Sequence, residues 1–217
     1  MRVTKWMSLF LVLALLFALT SCGSTPAKES GNEDPQTVAE TQEENNETET
    51  AETTEEPEMG KTLVVVFSAT GTTKGVADKI VSLTGADLYE IKAAQEYTSD
   101  DLNWHDQGSR TTKEQNDSAC RPEIGSDPVS LEGFSTVFIG YPIWWGEEPR
   151  IMDTFVESLD FDGITVIPFC TSSSSGMGRS GQNLADNAGS GNWLEGKRFP
   201  GSVSESELES WIGELGL

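Results

Sequence analysis

Cysteine and histidine are scarce in this 217-residue chain, which has three of the first and one of the second. No two cysteines form a Cys-x-x-Cys pair, and Cys120 and Cys170 offer at most one optional disulfide. The single histidine, His105, stands outside any cluster of residues at metal-ligand spacing. We therefore expect neither a disulfide framework nor a metal site.

Basic residues are also few, since 14 Lys and Arg face 36 Asp and Glu and leave a net charge of −22. A chain this acidic repels nucleic acid and favours basic or neutral partners. We therefore expect no nucleic-acid partner.

No apolar run reaches the roughly 20 residues that a membrane-spanning helix needs. The run at residues 9–19 follows Arg2 and Lys5 and leads into Thr20-Ser21-Cys22, which is the layout of an export signal. The segment Leu19-Thr20-Ser21-Cys22 resembles the lipobox of bacterial lipoproteins, in which the cysteine becomes lipid-modified. We expect residues 1–22 to be a lipoprotein signal peptide and Cys22 to anchor an exported protein on the outer face of the cytoplasmic membrane. An uncleaved signal anchor is the alternative.

Aliphatic and aromatic side chains are almost absent from residues 23–60, which contain twelve acidic residues and one lysine. Such a segment cannot bury enough apolar surface to fold, and its charges repel one another. We expect a disordered acidic linker that acts as a spacer. The remaining residues, 61–217, have the size of one domain with a single core.

Hydrophobic patterning within residues 61–217 alternates between strands and helices. Buried strands are expected at 64–67, 87–91, 136–141 and 164–170, with a weak fifth at 192–194. Helices are expected at 72–83, 151–159, 182–187 and 204–215, where Ser204 and Glu207 form a capping box. This alternation predicts an α/β fold in three layers, a parallel sheet covered by helices on both faces.

Two places fit this pattern badly. Pro168 falls inside an interior strand, where it removes a ladder hydrogen bond, so we expect a bulge or an early end to pairing there. Residues 93–132 form a long polar segment where a crossover helix belongs, with a short helix around 110–116. Its aromatic residues, Tyr97 and Trp104, suggest packing near the ligand end of the sheet.

The turn after the first strand is rich in hydroxyl groups and opens directly into a helix. The sequence there is Ser68-Ala69-Thr70-Gly71-Thr72-Thr73. Free amides at a helix N-terminus favour an anion, and the hydroxyls add neutral donors. The Gly-Lys-Ser/Thr signature of nucleoside-triphosphate loops and the Gly-x-Gly-x-x-Gly dinucleotide fingerprint are both missing. A mononucleotide phosphate is the best interpretation, and a simple helix cap by Thr70 or Thr72 is the alternative.

Two further loops follow buried strands and should meet the first at the carboxyl edge of the sheet. Tyr141-Pro142-Ile143-Trp144-Trp145-Gly146 carries two adjacent indoles, on one or both of which a flat heteroaromatic ring could stack. Residues 171–178 offer amides and hydroxyls to a polar ring edge, with a flexible connector as the alternative. An anion cradle, an aromatic wall and a polar rim together are what flavin mononucleotide (FMN) requires.

From about Leu63 to its end the chain resembles the flavodoxin-like family. The resemblance depends on Ser68-x-Thr70-Gly71-x-Thr73, on the Tyr-Pro-Ile-Trp-Trp-Gly loop, and on Pro168-Phe169-x-Thr171-Ser172 with Ser175-Gly176 and Gly178. It implies a doubly wound sheet of order 2-1-3-4-5, a first loop that grips the FMN phosphate, and second and third loops that flank the isoalloxazine. The expected FMN-binding residues are Ser68, Thr70, Gly71, Thr72, Thr73, Pro142, Ile143, Trp144, Trp145, Gly146, Thr171, Ser172, Ser175, Gly176 and Gly178.

The leading hypothesis is an exported, membrane-tethered electron carrier that binds FMN and serves redox proteins or small-molecule acceptors. An FMN-dependent NAD(P)H:quinone-type reductase is the close alternative. A serine hydrolase using residues 172–175 with His105 lacks the Gly-x-Ser-x-Gly elbow, and a flavin-free binding lipoprotein is a third possibility. We interpret His105 as a surface residue, Cys170 as a buried strand thiol, and Glu147 and Glu148 as charges at the start of a helix.

Overall fold

The computed structural model describes residues 60–217. The predicted signal peptide at 1–22, Cys22 within it, and nearly all of the predicted linker at 23–60 lie outside the described residues and remain predictions. Within the described range, no helix combines the length and the apolar character needed to cross a membrane.

A parallel sheet of six strands runs through the centre of the described domain. The order is β2-β1-β3-β4, and both β5 and β6 pair with the remaining edge of β4. The predicted order 2-1-3-4-5 is confirmed, with two short strands sharing the fifth position. The strands are β1 (Lys61–Phe67), β2 (Asp87–Ile91), β3 (Phe134–Pro142), β4 (Thr165–Thr171), β5 (Asn192–Trp193) and β6 (Lys197–Phe199).

Pro168 explains why the fifth position is split. Leu194 N donates to Val166 O at 2.9 Å, so the backbone groups of Val166 and, two residues later, of Pro168 face the outer strand. Because Pro168 has no N–H, the pairing lapses there and resumes at Phe169↔Lys197. Pairing with β3 continues through Ile139↔Pro168. The predicted interruption at Pro168 is therefore confirmed on the edge of β4 that faces β5 and β6, but not on the edge that faces β3. The predicted fifth strand at 192–194 was too short, because Lys197–Phe199 continues it.

Five helices in the described range complete the layers. Alternate side chains of β1 point to opposite faces, as the period of a strand requires. Val64 and Val66 pack with α1 and α5, whereas Leu63, Val65 and Phe67 pack with α3 and α4. The predicted three-layer α/β arrangement is confirmed. The helices are α1 (Thr72–Thr84), α2 (Arg110–Asn116), α3 (Arg150–Glu157), α4 (Ser180–Ala188) and α5 (Glu205–Glu214).

Local signals place two helix ends as expected. Gly85, at φ 69°, ends α1 in the left-handed conformation that glycine adopts at low cost. Ser204 Oγ accepts a hydrogen bond from Glu207 N at 3.2 Å and caps α5, whose Leu208 and Trp211 are buried.

The long connection between β2 and β3 contains α2, and its two ends are hydrogen-bonded to each other. Ala93 and Ile124 form an isolated antiparallel bridge, and Gly125 N donates to Lys92 O at 2.7 Å. The short helix expected around 110–116 is confirmed. The segment therefore folds back beside β2 and has its middle near the carboxyl edge of the sheet.

Candidate functional site

The first loop, residues 68–71, joins β1 to α1 and leaves the N-terminus of that helix open. Gly71 is the N-cap residue at φ 81°, and no side chain accepts a hydrogen bond from the first turn. The hydroxyls of Thr70 and Thr72 lie 3.2 Å from each other. The alternative in which Thr70 or Thr72 caps the helix is therefore wrong. The amides of the first turn remain available to an anion.

The side chain of Ser68 is a second group in this loop whose hydrogen-bonding capacity is unused. Its Oγ is buried and has no hydrogen-bond partner within residues 60–217. An unpaired buried hydroxyl costs about 1–3 kcal/mol. A ligand oxygen at this position would restore the missing bond.

Thr73 and Thr171, both buried, join the start of α1 to the end of β4. Their Oγ1 atoms lie 2.8 Å apart. Because these hydroxyls bond each other, they align two of the three predicted loops.

The aromatic loop, residues 143–148, makes a tight turn at Trp145 and Gly146. Trp144 and Glu147 exchange two backbone hydrogen bonds, of 2.9 and 3.0 Å. The φ angles of 50° at Trp145 and 85° at Gly146 are both left-handed, as a type I′ turn requires. Glycine adopts this conformation freely, whereas a bulky tryptophan is strained in it. The turn leaves Trp145 44 % exposed.

The two adjacent indoles have different surroundings. Trp144 is half-buried, and its ring meets Phe67 and Tyr97 edge-to-face at centroid distances of 5.6 and 5.3 Å. Trp145 is exposed. The predicted pair is therefore not a matched pair, since Trp144 is anchored in the core and Trp145 projects from the turn.

A buried charged network lies next to the aromatic loop. Arg150, at the start of α3, has Nη2 2.8 Å from Glu147 Oε2 and Nη1 3.7 Å from Glu148 Oε1 and 3.4 Å from Asp153 Oδ2. Asn183 of α4 donates to both oxygens of Glu148, at 3.3 and 3.2 Å. The interpretation of Glu148 as a helix-start charge is wrong, because its side chain is only 1 % exposed. Burial raises the pKa of Glu148 to about 7 and also raises the pKa of Asp153.

The serine loop, residues 172–178, is organised by an arginine from β6. Arg198 Nε donates to Ser172 Oγ at 3.1 Å, and its Nη2 donates to Ser172 O. Ser172 Oγ donates in turn to Ser175 O. A Cβ added at Gly178 would lie 3.2 Å from Gly146 O, so the serine and aromatic loops approach closely at that point. These contacts do not support the alternative that the serine loop is a flexible connector. The sequence did not indicate them, because Arg198 is distant in sequence from Ser172.

One cleft of about 360 Å³ brings parts of all three loops together. This volume is within the range of small-ligand sites. Of the predicted residues, Thr70, Ile143, Trp144 and Trp145 line the cleft, and Ser173 of the serine loop joins them. Ser68 lines a neighbouring pocket with Phe67 and Tyr97. The other predicted residues are not among the lining residues of the cleft: Gly71, Thr72, Thr73, Pro142, Gly146, Thr171, Ser172, Ser175, Gly176 and Gly178.

The site prediction omitted three lining residues from the long connection, which are Leu102, Trp104 and Thr111. Trp104 is 64 % exposed, and its ring lies 3.5 Å from that of His105. A tryptophan inside an otherwise polar segment was the signal that pointed there. Arg198, which holds the serine loop, carried no such signal.

The described part of the chain holds neither a metal-ligand cluster nor a hydrogen bond between His105 and a serine. Residues 60–217 contain no group of three His, Cys, Asp or Glu that could hold a metal ion. Ser172 Oγ is engaged by Ser175 and Arg198, while His105 is exposed beside Trp104. Cys120 and Cys170 form no disulfide with another cysteine of residues 60–217, and Cys170 is buried, as expected for a strand thiol.

A family model described as Flavodoxin matches residues 61–215. No curated protein sequence matches the chain.

Solved structures resemble the same part of the chain. A candidate flavoprotein of Bacteroides uniformis is 44 % identical with a TM-score of 0.68, over 71 % of this chain and 98 % of the other. A candidate flavoprotein of Bacteroides eggerthii is 42 % identical with a TM-score of 0.68, over 73 % and 99 %. A flavoprotein of Lactobacillus acidophilus in complex with FMN is 22 % identical with a TM-score of 0.56, over 70 % and 99 %, and at this identity the likeness concerns the fold alone.

Proposed function

Because the chain belongs to the flavodoxin family, we propose that it binds FMN non-covalently at this site and carries electrons between redox partners. One observation supports this most directly. A single cleft reaches from Thr70, beside the open N-terminus of α1, to the exposed indole of Trp145. A hydroxyl of the first loop and an exposed indole thereby line the same cleft, which suits one ligand with an anionic tail and a planar head.

The first loop fits a phosphate ester held by neutral donors. The amides at the start of α1 have no side-chain cap, and Ser68 Oγ lacks a partner. Thr70 and Thr72 are exposed and add hydroxyls at the same place. We assign the phosphate to Ser68, Thr70, Gly71, Thr72 and Thr73.

The aromatic and serine loops fit the ring system. Trp145 presents an exposed face, and Trp144 with Ile143 lines the same cleft with apolar surface. We assign the remaining contacts with the ring and its polar edge to Pro142, Gly146, Thr171, Ser172, Ser175, Gly176 and Gly178.

FMN, when bound, supplies the reversible redox chemistry. The chain holds the ring, excludes water from the face against the indoles, and sets the charge nearby. The strong overall negative charge of the chain disfavours additional negative charge on the ring. We therefore expect a low reduction potential, with the exposed backbone of Gly146 available to hydrogen-bond a ring edge.

FMN retention tests the proposal. The purified full chain, incubated with FMN and desalted, should keep the yellow absorption of flavin, and a redox titration should then give a low potential. If the chain retained no flavin after incubation, the proposal would be wrong and a flavin-free binding lipoprotein would be the better interpretation.

A kinetic assay separates the carrier from the reductase alternative. A reductase needs a second substrate over the ring and should oxidise NAD(P)H with quinone at many turnovers per flavin. We expect the carrier to show no such turnover and to exchange electrons with a redox protein instead.

Localisation is part of the proposal and depends on residues 1–60. We propose that Cys22 is lipid-modified and that the acidic segment spaces the flavin domain from the membrane surface. The wild-type chain should incorporate labelled fatty acid and sediment with membranes. The Cys22→Ala variant should do neither, and an unlabelled wild type would contradict the anchor.

A further inference from the structure

A residue of the long connection holds the aromatic loop from behind. Gln115, in α2, is buried, and its Nε2 donates to Trp144 O and to Glu148 O, each at 3.2 Å. The first carbonyl belongs to the first residue of the turn that presents Trp145 and Gly146, and the second belongs to the residue just after that turn. Both acceptors are carbonyl oxygens, so only the nitrogen of the amide can serve them.

Packing alone does not favour a glutamine at this position. Gln115 Oε1 is buried and has no hydrogen-bond partner within residues 60–217. An apolar side chain of similar size would avoid that unfavourable burial. What the amide provides is the pair of hydrogen bonds to the aromatic loop.

The helix that carries Gln115 is itself fixed to the loop and to α3. Arg150 Nη2 donates to Gln115 O at 3.3 Å and to Glu147 Oε2 at 2.8 Å. Ser109 Oγ caps α2 by accepting from Thr112 N at 3.3 Å. The donor is therefore presented from a held helix rather than from a free segment.

The same connection also supports the ring of Trp144. Tyr97 meets that indole edge-to-face at 5.3 Å, and its hydroxyl donates to Glu114 Oε2 at 2.8 Å. Arg110 lies 4.0 Å above the Tyr97 ring and pairs with Glu114 at 2.6 Å. Residues 97–115 thus hold both the backbone of the loop and one of its indoles.

We propose that Gln115 is the positioning residue of the aromatic loop, and that its amide holds the strained Trp145 turn ready for a planar ring. The proposal rests on the proposed function for the identity of the ligand. It assigns to the long connection a role that neither its length nor its polarity indicates: it supports the wall of the ring site.

Two substitutions remove the donor while keeping a side chain of similar size, Gln115→Met and Gln115→Leu. Gln182→Met is the matched control, because Gln182 is exposed on α4 and its amide bonds only Asp186 within its own helix. All measurements use the full chain, with thermal unfolding to confirm that each variant is folded.

Hydrogen exchange in the flavin-free chain tests the clamp directly. The amides of Trp144 and Glu147, which close the turn, should exchange at least about tenfold faster in both Gln115 variants. Exchange in β1 should stay the same, and Gln182→Met should match the wild type. Unchanged exchange at both turn amides would overturn the inference.

Riboflavin, which has the ring but no phosphate, tests the consequence for binding. Its Kd should rise about tenfold in both Gln115 variants, and the Kd of FMN should rise by the same factor because the first loop is untouched. Faster exchange without any loss of riboflavin affinity would overturn the positioning role. A wild-type chain that bound neither flavin would overturn the proposed function, whereas a binding wild type with unchanged Gln115 variants would overturn this inference alone.

Discussion

The first loop and the aromatic loop both follow buried central strands, yet they are held in opposite ways. The first loop is shaped by Gly71 and the start of its own helix, and it leaves amides and the Ser68 hydroxyl unfilled. The aromatic loop is held by side chains from α2, α3 and α4. A phosphate cradle must keep its donors free, whereas a wall for a ring must be rigid. The difference predicts separate effects on stability and on binding.

The largest effect should come from breaking the charged network beside the aromatic loop. Arg150→Met leaves Glu148 and Asp153 buried without their cation, so the free energy of unfolding should fall by about 3–5 kcal/mol in urea at neutral pH. The control is Lys74→Met, which removes an exposed ion pair with Asp78 in α1. This variant should change the free energy of unfolding by no more than about 0.5 kcal/mol. Equal losses of unfolding free energy in the two variants would contradict the view that the charged network holds the aromatic loop.

Glu148 should make the stability of the aromatic side depend on pH. Its pKa is raised to about 7 in the folded chain, so the stabilisation is full below its unfolded pKa of about 4.3 and is lost as pH rises through about 7. The loss at high pH is on the order of 3 kcal/mol. Urea unfolding from pH 4 to 9 should show this decline in the wild type.

In the Glu148→Gln variant, the loss of stability with rising pH should be smaller. The remaining loss should come from Asp153, because burial also raises the pKa of Asp153. Glu209→Gln, on an exposed position of α5, should reproduce the wild-type curve. A Glu148→Gln curve identical to the wild type would refute the assignment of the proton to Glu148.

The two tryptophans allow the comparison to be made within one loop. Trp144→Ala removes contacts with Phe67 and Tyr97 and should lower the free energy of unfolding by about 2–3 kcal/mol, as well as weaken flavin binding. Trp145→Ala should leave stability within about 0.5 kcal/mol but raise the Kd of riboflavin about tenfold. Parallel urea and riboflavin titrations measure both, and a stability loss as large at Trp145 as at Trp144 would contradict their different surroundings.

The smallest effect on folding should come from the first loop. Ser68→Ala removes an unpaired buried hydroxyl, so the flavin-free chain should be unchanged or more stable by up to about 1 kcal/mol. The Kd of FMN should rise about tenfold, and that of riboflavin should not change. Ser82→Ala, which removes an exposed hydroxyl within α1, is the control for both. Equal weakening of both flavins would place Ser68 at the ring instead of the phosphate.

Prediction from sequence succeeded where the signal was local or periodic. The uninterrupted apolar stretch at 64–67 indicated a central strand, and Thr84-Gly85 marked the end of α1. The glycine and hydroxyls directly before α1 indicated a loop that opens into a helix, and the anion site expected there stays a prediction. Even Pro168 was informative, since its missing N–H interrupts pairing, although the sequence could not say on which side.

Prediction failed where the partner of a residue lies far along the chain. Glu148 looks like an ordinary charge before a helix until Asn183, 35 residues later, is placed beside it. Arg198 and Ser172 are separated by 26 residues, and Gln115 and Glu148 by 33. Periodicity reports that a face is buried but not which polar groups meet beneath it.

The sequence by itself determined the alternation of strands and helices and the three loops at one edge of the sheet, because each depends on hydrophobic period or on backbone freedom over a few residues. Only the tertiary structure decided that Trp144 packs on the core while Trp145 is exposed, and that Glu148 is buried. It also decided that Gln115 is hydrogen-bonded to the aromatic loop. These outcomes depend on contacts between α2, α3, α4 and the aromatic loop, which form only when the crossover connections of the sheet bring distant segments together.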